Sequence, residues 1–249
     1  MNHSVSTKLI FFFCAMMLSV WSIQSQTLED LDTRVLYRIV DIKTEVIEFH
    51  WKDQNDSIIN TLGNLDALMK RNDKSLLFGM NGGMFHSDYS PVGLYIEDFS
   101  ELRKINISKG KGNFNLKPNG VFSVYKDKAA MICTSDTFTT DPNIVFATQS
   151  GPMLLINGEF HPAFNKGSKN VNIRNGVGVL PNGNVVMAIS TTFINFYDFA
   201  LFFKNMGCKN ALYLDGAVSQ VFYPEKDWVQ TNRKFGVLIS VCKKDSVQK

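Results

Sequence analysis

The chain has 249 residues, of which 45% are hydrophobic and 20% are charged, a composition typical of a globular protein and unlike that of a disordered or fibrous one. Its 26 basic and 23 acidic residues give a formal net charge of +3, which is too close to neutral for a typical nucleic-acid-binding protein. The length favours one domain, and no repeat, low-complexity tract or linker divides the sequence.

The first 25 residues have the pattern of a secretory signal peptide. Lys8 precedes an apolar run at 9–20, and the small residues Ser22 and Ser25 follow as cleavage positions. The run is short for a membrane span, so an uncleaved N-terminal anchor is the less favoured alternative. We expect an exported, periplasmic or extracellular protein without a membrane span, whose mature domain covers residues 26–249.

Three cysteines follow the predicted signal peptide: Cys133, Cys208 and Cys242. In an oxidising compartment this number allows one disulfide, for which Cys208 and Cys242 are the candidate pair, and leaves one thiol. The cysteine pairs that would bind zinc are absent.

Hydrophobic patterning predicts mostly strands in the first half of the chain. Near alternation at 35–51 indicates one long or two short strands, and leucines at helical spacing predict a helix that ends at Asn72. A buried strand at 76–80 and a strand at 92–97 follow. A turn at Lys126-Asp127-Lys128 joins the two strands of a hairpin, 121–125 and 129–133.

The second half continues with short strands, predicted at 144–146, 153–156, 177–180, 185–190, 212–214 and 235–241. Between them, Phe199, Phe202 and Phe203 recur at helical spacing, with Asp198 placed to cap the start of a helix and Gly207 to end it. Strands joined by short turns therefore outnumber helices. We predict an α+β fold in which mixed or antiparallel sheets pack on a few helices.

Four glycine-bearing polar segments stand at the ends of predicted strands: Asn81-Gly82-Gly83, Gln149-Ser150-Gly151, Arg174-Asn175-Gly176 and Asp215-Gly216. The Asn81 and Asp215 segments are each also compatible with a simple turn. Glycine lets a ligand approach the backbone, and loops at strand ends commonly carry function. We expect the four segments to line a single cleft.

The charged residues of these segments, together with His86 and Asp88 in the loop after Gly83, suggest hydrolytic chemistry on an anionic substrate. Arg174 is the candidate anion clamp, because its guanidinium fork matches a phosphate or a carboxylate. Asp88 and Asp215 are candidates for the carboxylate pair of glycoside hydrolysis, and His86 for proton transfer.

Other catalytic motifs are missing or incomplete. The sequence has no GxSxG and no HExxH, and its Ser123-Lys126 pair lacks the companion motifs of penicillin-binding enzymes. The GKG within 105–118 lacks the spacing of a phosphate-binding loop.

At these positions the chain resembles the phosphodiester glycosidase family. The shared motifs are NGGMF from Asn81, RNGVGV from Arg174 and LYLDG from Leu212, and SPVGLY, LKPNGVF, QSGPML and NFYDFA indicate a bacterial secreted branch. Ala217 and Val218 stand before Ser219 where the family has further glycines, so the sugar preference stays open.

The resemblance implies hydrolysis of a sugar-1-phosphodiester, with a phosphorylated sugar or glycan as the substrate and no organic cofactor. It implies that Arg174 binds the phosphate and that Asp215 is the nucleophile or base, with His86 and Asp88 auxiliary. The implied substrate-binding residues are Asn81, Gly82, Gly83, Gln149, Ser150, Asn175, Gly216 and Ser219. A divalent cation on Asp88, Asp198 or Asp215 stays open.

Two other classes of protein remain as alternatives. One is a carbohydrate-binding envelope protein that lacks the reaction, and the other is a metal-assisted phosphodiesterase that cuts the phosphorus–oxygen bond.

Overall fold

The computed structural model describes residues 31–127, 129–216 and 218–244. The predicted signal peptide therefore lies outside the described residues. The strands in chain order are β1 (Val35–Val40), β2 (Glu45–His50), β3 (Leu76–Asn81), β4 (Tyr95–Glu97), β5 (Ser100–Arg103), β6 (Gly120–Tyr125), β7 (Ala130–Thr134), β8 (Ile144–Ser150), β9 (Met153–Ile156), β10 (Glu159–Phe160), β11 (Val171–Asn172), β12 (Asn175–Val179), β13 (Val185–Ser190), β14 (Ile194–Asn195), β15 (Asn210–Tyr213), β16 (Val221–Tyr223), β17 (Trp228–Val229) and β18 (Leu238–Lys243). The α-helices are α1 (Leu62–Arg71) and α2 (Phe196–Asn205).

The strands form three large antiparallel sheets and a small ribbon. A six-stranded sheet has the order β1-β13-β12-β15-β9-β10. The first five-stranded sheet has the order β17-β16-β3-β18-β2, and the second has the order β5-β4-β8-β6-β7. The ribbon pairs β11 with β14.

The main core lies where the three sheets face one another. Val177 and Leu212 reach it from the six-stranded sheet, Phe78 and Ile239 from the first five-stranded sheet, and Phe122 from the second. These side chains are fully buried. Burial of about 25 cal/mol per Å² of apolar surface makes this shared core a main source of stability, and it fixes the relative positions of the sheet edges.

Each α-helix covers the outer face of one sheet. Leu62, Leu65 and Met69 of α1 pack on the first five-stranded sheet, and the Thr61 side chain caps the helix by accepting from the Asn64 backbone N–H at 3.0 Å. Helix α2 packs its phenylalanines on the six-stranded sheet.

The cap of α2 differs from the prediction. Asn195 is the N-cap residue, and its side chain accepts from the Asp198 backbone N–H at 2.8 Å. Asp198 therefore lies in the first turn, where a carboxylate is favoured by the helix dipole, and it pairs with Arg34 at 3.2 Å. The helix ends before Gly207, whose φ of +88° suits glycine.

Antiparallel sheets packed on helices agree with the prediction, but the fold is mostly β rather than a balanced α+β. The largest differences in strand length from the predicted ranges are in β8 and β4. Strand β8 continues through Ser150, because its residues from Phe146 to Ser150 all pair with β6. Strand β4 is shorter than the predicted strand at 92–97.

The proposed Cys208–Cys242 pairing is wrong, since the described cysteines form no disulfide. Cys208 packs in the cluster beneath α2, whereas Cys242 packs beneath α1, with its Sγ 3.7 Å from the Met69 Sδ. The two thiols lie in separate core clusters.

Within the part of the chain that the structure describes, neither α-helix has the length and apolar character needed to cross a membrane.

Candidate active site

The four glycine-bearing segments meet at one place, where strand ends from all three sheets come together. Asn81 ends β3, Ser150 ends β8, Asn175 begins β12, and Asp215 follows β15 by two residues. The Asn175 Nδ2 donates to the Asn81 carbonyl at 2.7 Å, and the Ser150 hydroxyl donates to the Leu214 carbonyl. Residues far apart in the chain are thus held by direct hydrogen bonds.

Asn175 is at the centre of these contacts and is fully buried. Its Oδ1 accepts from the Asp215 backbone N–H at 2.9 Å and from the Ser219 hydroxyl at 3.1 Å. The Ser219 hydroxyl also contacts the Asp215 carbonyl. One amide side chain therefore fixes the backbone of both the Asp215 and Asn81 segments.

Asp215 presents a carboxyl group in a poorly solvated position. Burial raises its pKa to about 7, and a hydrogen bond with the Gly216 backbone only partly opposes this shift. A carboxyl group with a pKa near neutrality suits proton transfer at physiological pH.

Gly216 lies directly against the buried ring of Tyr213. A Cβ atom added at Gly216 would lie 1.5 Å from the Tyr213 hydroxyl oxygen and 2.7 Å from its Cζ. Only glycine leaves room for the tyrosine, so the Asp-Gly sequence here is a packing requirement as well as a bend.

We expect Gly216→Ala to lower the free energy of unfolding by about 3 kcal/mol or more, since overpacking costs about 1–3 kcal/mol at less crowded sites. Urea denaturation of the purified variant measures the change. The double variant Gly216→Ala/Tyr213→Phe removes the nearest clashing atom and should recover part of the loss. Equal stability of Gly216→Ala and the native protein would contradict this packing.

Arg174 is a fully buried cation. Its Nε donates to the Ile194 carbonyl at 2.9 Å, and its Nη2 donates to the carbonyl and Oδ1 of Asn170 at 2.9 and 3.1 Å. The Phe196 ring lies 3.5 Å from the guanidinium carbon. The ribbon of β11 and β14 therefore covers the guanidinium and sets its orientation.

The charge of Arg174 is not balanced by an acidic side chain among the described residues. Within the same residues, its Nη1 has no acceptor at hydrogen-bond geometry. Burial lowers the pKa of the guanidinium, and the neighbouring Tyr213 hydroxyl opposes this shift. A buried cation without a counter-charge is costly unless an anion binds beside it.

The glycine loop after β3 passes close to the end of β8. The Gly82 N–H donates to the Val237 carbonyl at 2.8 Å, and a Cβ at Gly83 would lie 2.7 Å from the Thr148 Oγ1. Asn81 accepts from the Gln220 N–H at 3.0 Å through Oδ1, while its buried Nδ2 has no partner in the described part of the chain. Asn81 is therefore a second buried donor available to a ligand.

Gln149 and Ser150 use their side chains within the protein. The Gln149 Oε1 accepts from the backbone N–H groups of Leu94 at 3.0 Å and Asn106 at 2.8 Å, and its Nε2 donates to the Asn106 carbonyl at 2.8 Å. With the Ser150 bond to Leu214, these contacts position the backbone around the site.

His86 and Asp88 lie in an exposed turn after the glycine loop. Asp88 accepts from the Ser90 N–H at 2.9 Å and from the Ser90 hydroxyl at 2.6 Å, and these bonds lower its pKa. Within the described residues, the hydrogen bonds of the Asp88 side chain go to Ser90 and not to the Asp215 segment. The structure therefore does not bring Asp88 and Asp215 together as a carboxylate pair.

Three residues at the site have no counterpart in the sequence analysis: Tyr213, Phe196 and Asn113. The Tyr213 hydroxyl interacts with the side chains of Arg174 and Asn113, and burial raises its pKa to about 12. The position of Tyr213 in the LYLDG motif, two residues before Asp215, could have indicated that it lies at the site. No sequence signal indicated Asn113, because only the fold brings its loop close to β15.

No cluster of three or more His, Cys, Asp or Glu side chains suited to a metal ion occurs in the ranges 31–127, 129–216 and 218–244. Asp198, one of the residues considered for a cation, bonds instead to Asn195 and Arg34.

Antiparallel sheets whose strand ends surround a carboxyl group and a buried guanidinium are compatible with a hydrolase of anionic sugars. A model of the phosphodiester glycosidase family matches residues 74–240, and the chain belongs to that family. It is similar to the Uncharacterized protein YigE of Escherichia coli (strain K12), with 38% identity over 184 residues that span 74% of this chain and 72% of that protein.

Solved structures share the fold at low sequence identity. The zebrafish N-acetylglucosamine-1-phosphodiester alpha-N-acetylglucosaminidase catalytic domain, auto-inhibited by its pro-peptide, matches with a TM-score of 0.51 and 14% identity, covering 90% of this chain and 94% of that chain. A putative exported protein from Burkholderia pseudomallei K96243 matches with a TM-score of 0.57 and 11% identity, over 83% and 73% of the two chains.

Proposed function

We propose that this protein hydrolyses sugar-1-phosphodiesters by breaking the bond between the anomeric carbon and the phosphate oxygen. Membership of the phosphodiester glycosidase family supports this class of reaction in general. The observation that carries the proposal is the buried guanidinium of Arg174, which lacks an acidic partner among the described residues and whose Nη1 has no acceptor at hydrogen-bond geometry there. A phosphodiester anion supplies the missing charge and acceptor.

Asp215 acts in this proposal as the general base. A water oxygen attacks the anomeric carbon while the Asp215 carboxylate takes the water proton. The electron pair of the breaking carbon–oxygen bond moves to the phosphate oxygen, releasing the sugar and a phosphate monoester. With a pKa of about 7, the ionised Asp215 carboxylate is a stronger base than an ordinary aspartate and is still substantially ionised near neutral pH.

The leaving group explains why one carboxyl group is sufficient. The last pKa of a phosphate monoester is about 6, so it departs without a strong general acid. What the reaction needs instead is stabilisation of charge on the phosphate oxygens. Arg174 and the Asn81 Nδ2 supply the donors, and Asn175 and Ser219 hold the Asp215 segment in place.

We further propose that the protein acts after export. Lys8, the apolar run at 9–20 and the small residues that follow it support this location.

The test is a screen of the purified protein against sugar-1-phosphodiesters, including the methyl esters of α-glucose-1-phosphate and α-N-acetylglucosamine-1-phosphate. We expect release of free sugar and methyl phosphate without an added metal. In ¹⁸O-labelled water, the label should enter the sugar, because water attacks carbon.

Label in the phosphate, with activity lost on chelation, would identify a metal-assisted phosphodiesterase instead. Saturable sugar binding without turnover of any ester would identify a binding protein. Either result rejects the glycosidase.

A further inference from the structure

The segment from Lys104 to Pro118 is strongly basic in a chain that is otherwise close to neutral. It carries Lys104, Lys109, Lys111 and Lys117 and contains no Asp or Glu. In the described part of the chain, none of these lysines forms an ion pair. We call this segment, residues 104–118, the basic loop.

Two residues of the basic loop, Asn106 and Asn113, bond to residues that surround the candidate active site. Near its start, Asn106 bonds to Gln149 through its backbone N–H and carbonyl, and its Nδ2 donates to the Val92 carbonyl at 3.1 Å. Further along, the Asn113 side chain interacts with the hydroxyl of Tyr213, the residue that packs against Gly216. The loop therefore borders the cleft that contains Asp215.

The middle of the loop faces solvent. Residues 107–112 are exposed, and Ile107 keeps 69% of its surface accessible. An open cavity of about 430 Å³ lies beside the loop, lined by Ile107, Lys117, Pro118, Ser135 and Asp136. Exposed lysines such as Lys109 and Lys111 at such an edge raise the local concentration of anions.

We propose that the basic loop binds an anionic aglycone, the part of the substrate on the far side of the scissile phosphate. The inference rests on the proposed function, because it assigns the leaving group of that reaction. A substrate with a second phosphate beyond the scissile one would place charge near Lys109 and Lys111. The loop then selects nucleotide-linked or polyphosphate-linked sugars over esters of neutral alcohols.

Steady-state kinetics with two substrates tests this selectivity. The probes are UDP-N-acetylglucosamine, whose aglycone is anionic, and the methyl ester of α-N-acetylglucosamine-1-phosphate, whose aglycone is neutral. For Lys109→Glu/Lys111→Glu we expect KM for the first probe to rise about tenfold, since each exposed charge contact contributes modestly. KM for the methyl ester and kcat for both should change less than about twofold, and added salt should shrink the difference.

The matched control is Lys43→Glu/Lys126→Glu, which makes the same change in net charge. Both residues are exposed. Lys43 lies in the turn between β1 and β2, and Lys126 in the turn after β6, at the end of the sheets opposite the candidate active site. Its KM values should equal those of the native protein. An equal rise in the control, or no rise in the loop variant, would overturn the proposal.

Binding separates this inference from the reaction itself. Calorimetric titration of UDP-N-acetylglucosamine into the Asp215→Ala variant requires no turnover. Adding Lys109→Glu/Lys111→Glu to that variant should weaken the affinity for the nucleotide sugar about tenfold. If no ester is hydrolysed but this difference persists, the glycosidase fails and the anion-binding loop stands. If the proteins with and without Lys109→Glu/Lys111→Glu bind the nucleotide sugar equally, the proposal for the basic loop is wrong.

Discussion

Asp215→Ala and Asp215→Asn are expected to lower kcat/KM for sugar-1-phosphodiesters by about 10²–10⁴, the usual range for loss of a general acid or base. The carboxyl group is the proton acceptor that burial tunes to a pKa of about 7, and neither replacement can accept the proton. The alanine variant is the more reliable test of the carboxylate, because the asparagine of an Asn-Gly sequence at 215–216 can deamidate to Asp and restore activity.

The pH dependence of the native enzyme should report the same group. The ionised carboxylate is the active form, so kcat/KM should rise with pH and level off above about 7. A profile already flat from pH 5 upwards would contradict the role of Asp215 as the base.

Stability should change in the opposite direction to activity. The pKa of Asp215 rises from 3.8 to about 7 on folding, so between these pH values the folded protein holds the proton more tightly than the unfolded chain. The native protein therefore loses stability as pH rises through this window. The alanine variant lacks this loss, and its Tm relative to the native protein should be higher at pH 8 than at pH 4.

Arg174→Gln is expected to lower kcat/KM by about 10³, comparable to removal of a donor that stabilises developing negative charge. The guanidinium is fully buried, and within the described residues its Nη1 has no acceptor at hydrogen-bond geometry. Glutamine keeps amide donors near Ile194 and Asn170 but removes the charge. Steady-state kinetics on the ester that the native enzyme cleaves best measures the loss.

Anion binding by the same variant provides a readout that a purely structural role would not change. Inorganic phosphate should raise the Tm of the native protein and leave that of Arg174→Gln unchanged, since a ligand stabilises only the state that binds it. Arg174→Lys is the control. It keeps the charge without the two-pronged fork and should show an intermediate loss of activity, about 10². A phosphate-induced Tm shift that persists in Arg174→Gln would remove Arg174 from the anion site.

Much of the local structure could be predicted from the sequence because its signals are local. Strand β13 was predicted with its observed bounds, and helix α1 ends at Asn72 as expected. The Asp198 cap was wrong because Asn195 offers the same capping chemistry three residues earlier. Periodicity does not distinguish between two such neighbours.

The candidate site shows a similar division. The four glycine-bearing segments were recognisable because polar residues directly follow or precede apolar runs. The separate roles of the segments were not recognisable. The side chains of Gln149 and Ser150 form hydrogen bonds with Asn106 and Leu214, and the sequence does not indicate these partners. Asn113 reaches Tyr213 only through a loop whose course the sequence pattern does not reveal.

The sequence by itself determined the family, the alternation of short strands and the identity of the chemical groups at their ends. These features depend on residue type and short spacing. The tertiary structure alone decided that Arg174 is a buried cation without an acidic partner in the described residues, and that His86 and Asp88 lie in an exposed turn. It also decided that burial shifts the pKa of Asp215 towards neutrality. Desolvation and the distances between side chains arise only when distant strands pack together, so no local pattern encodes them.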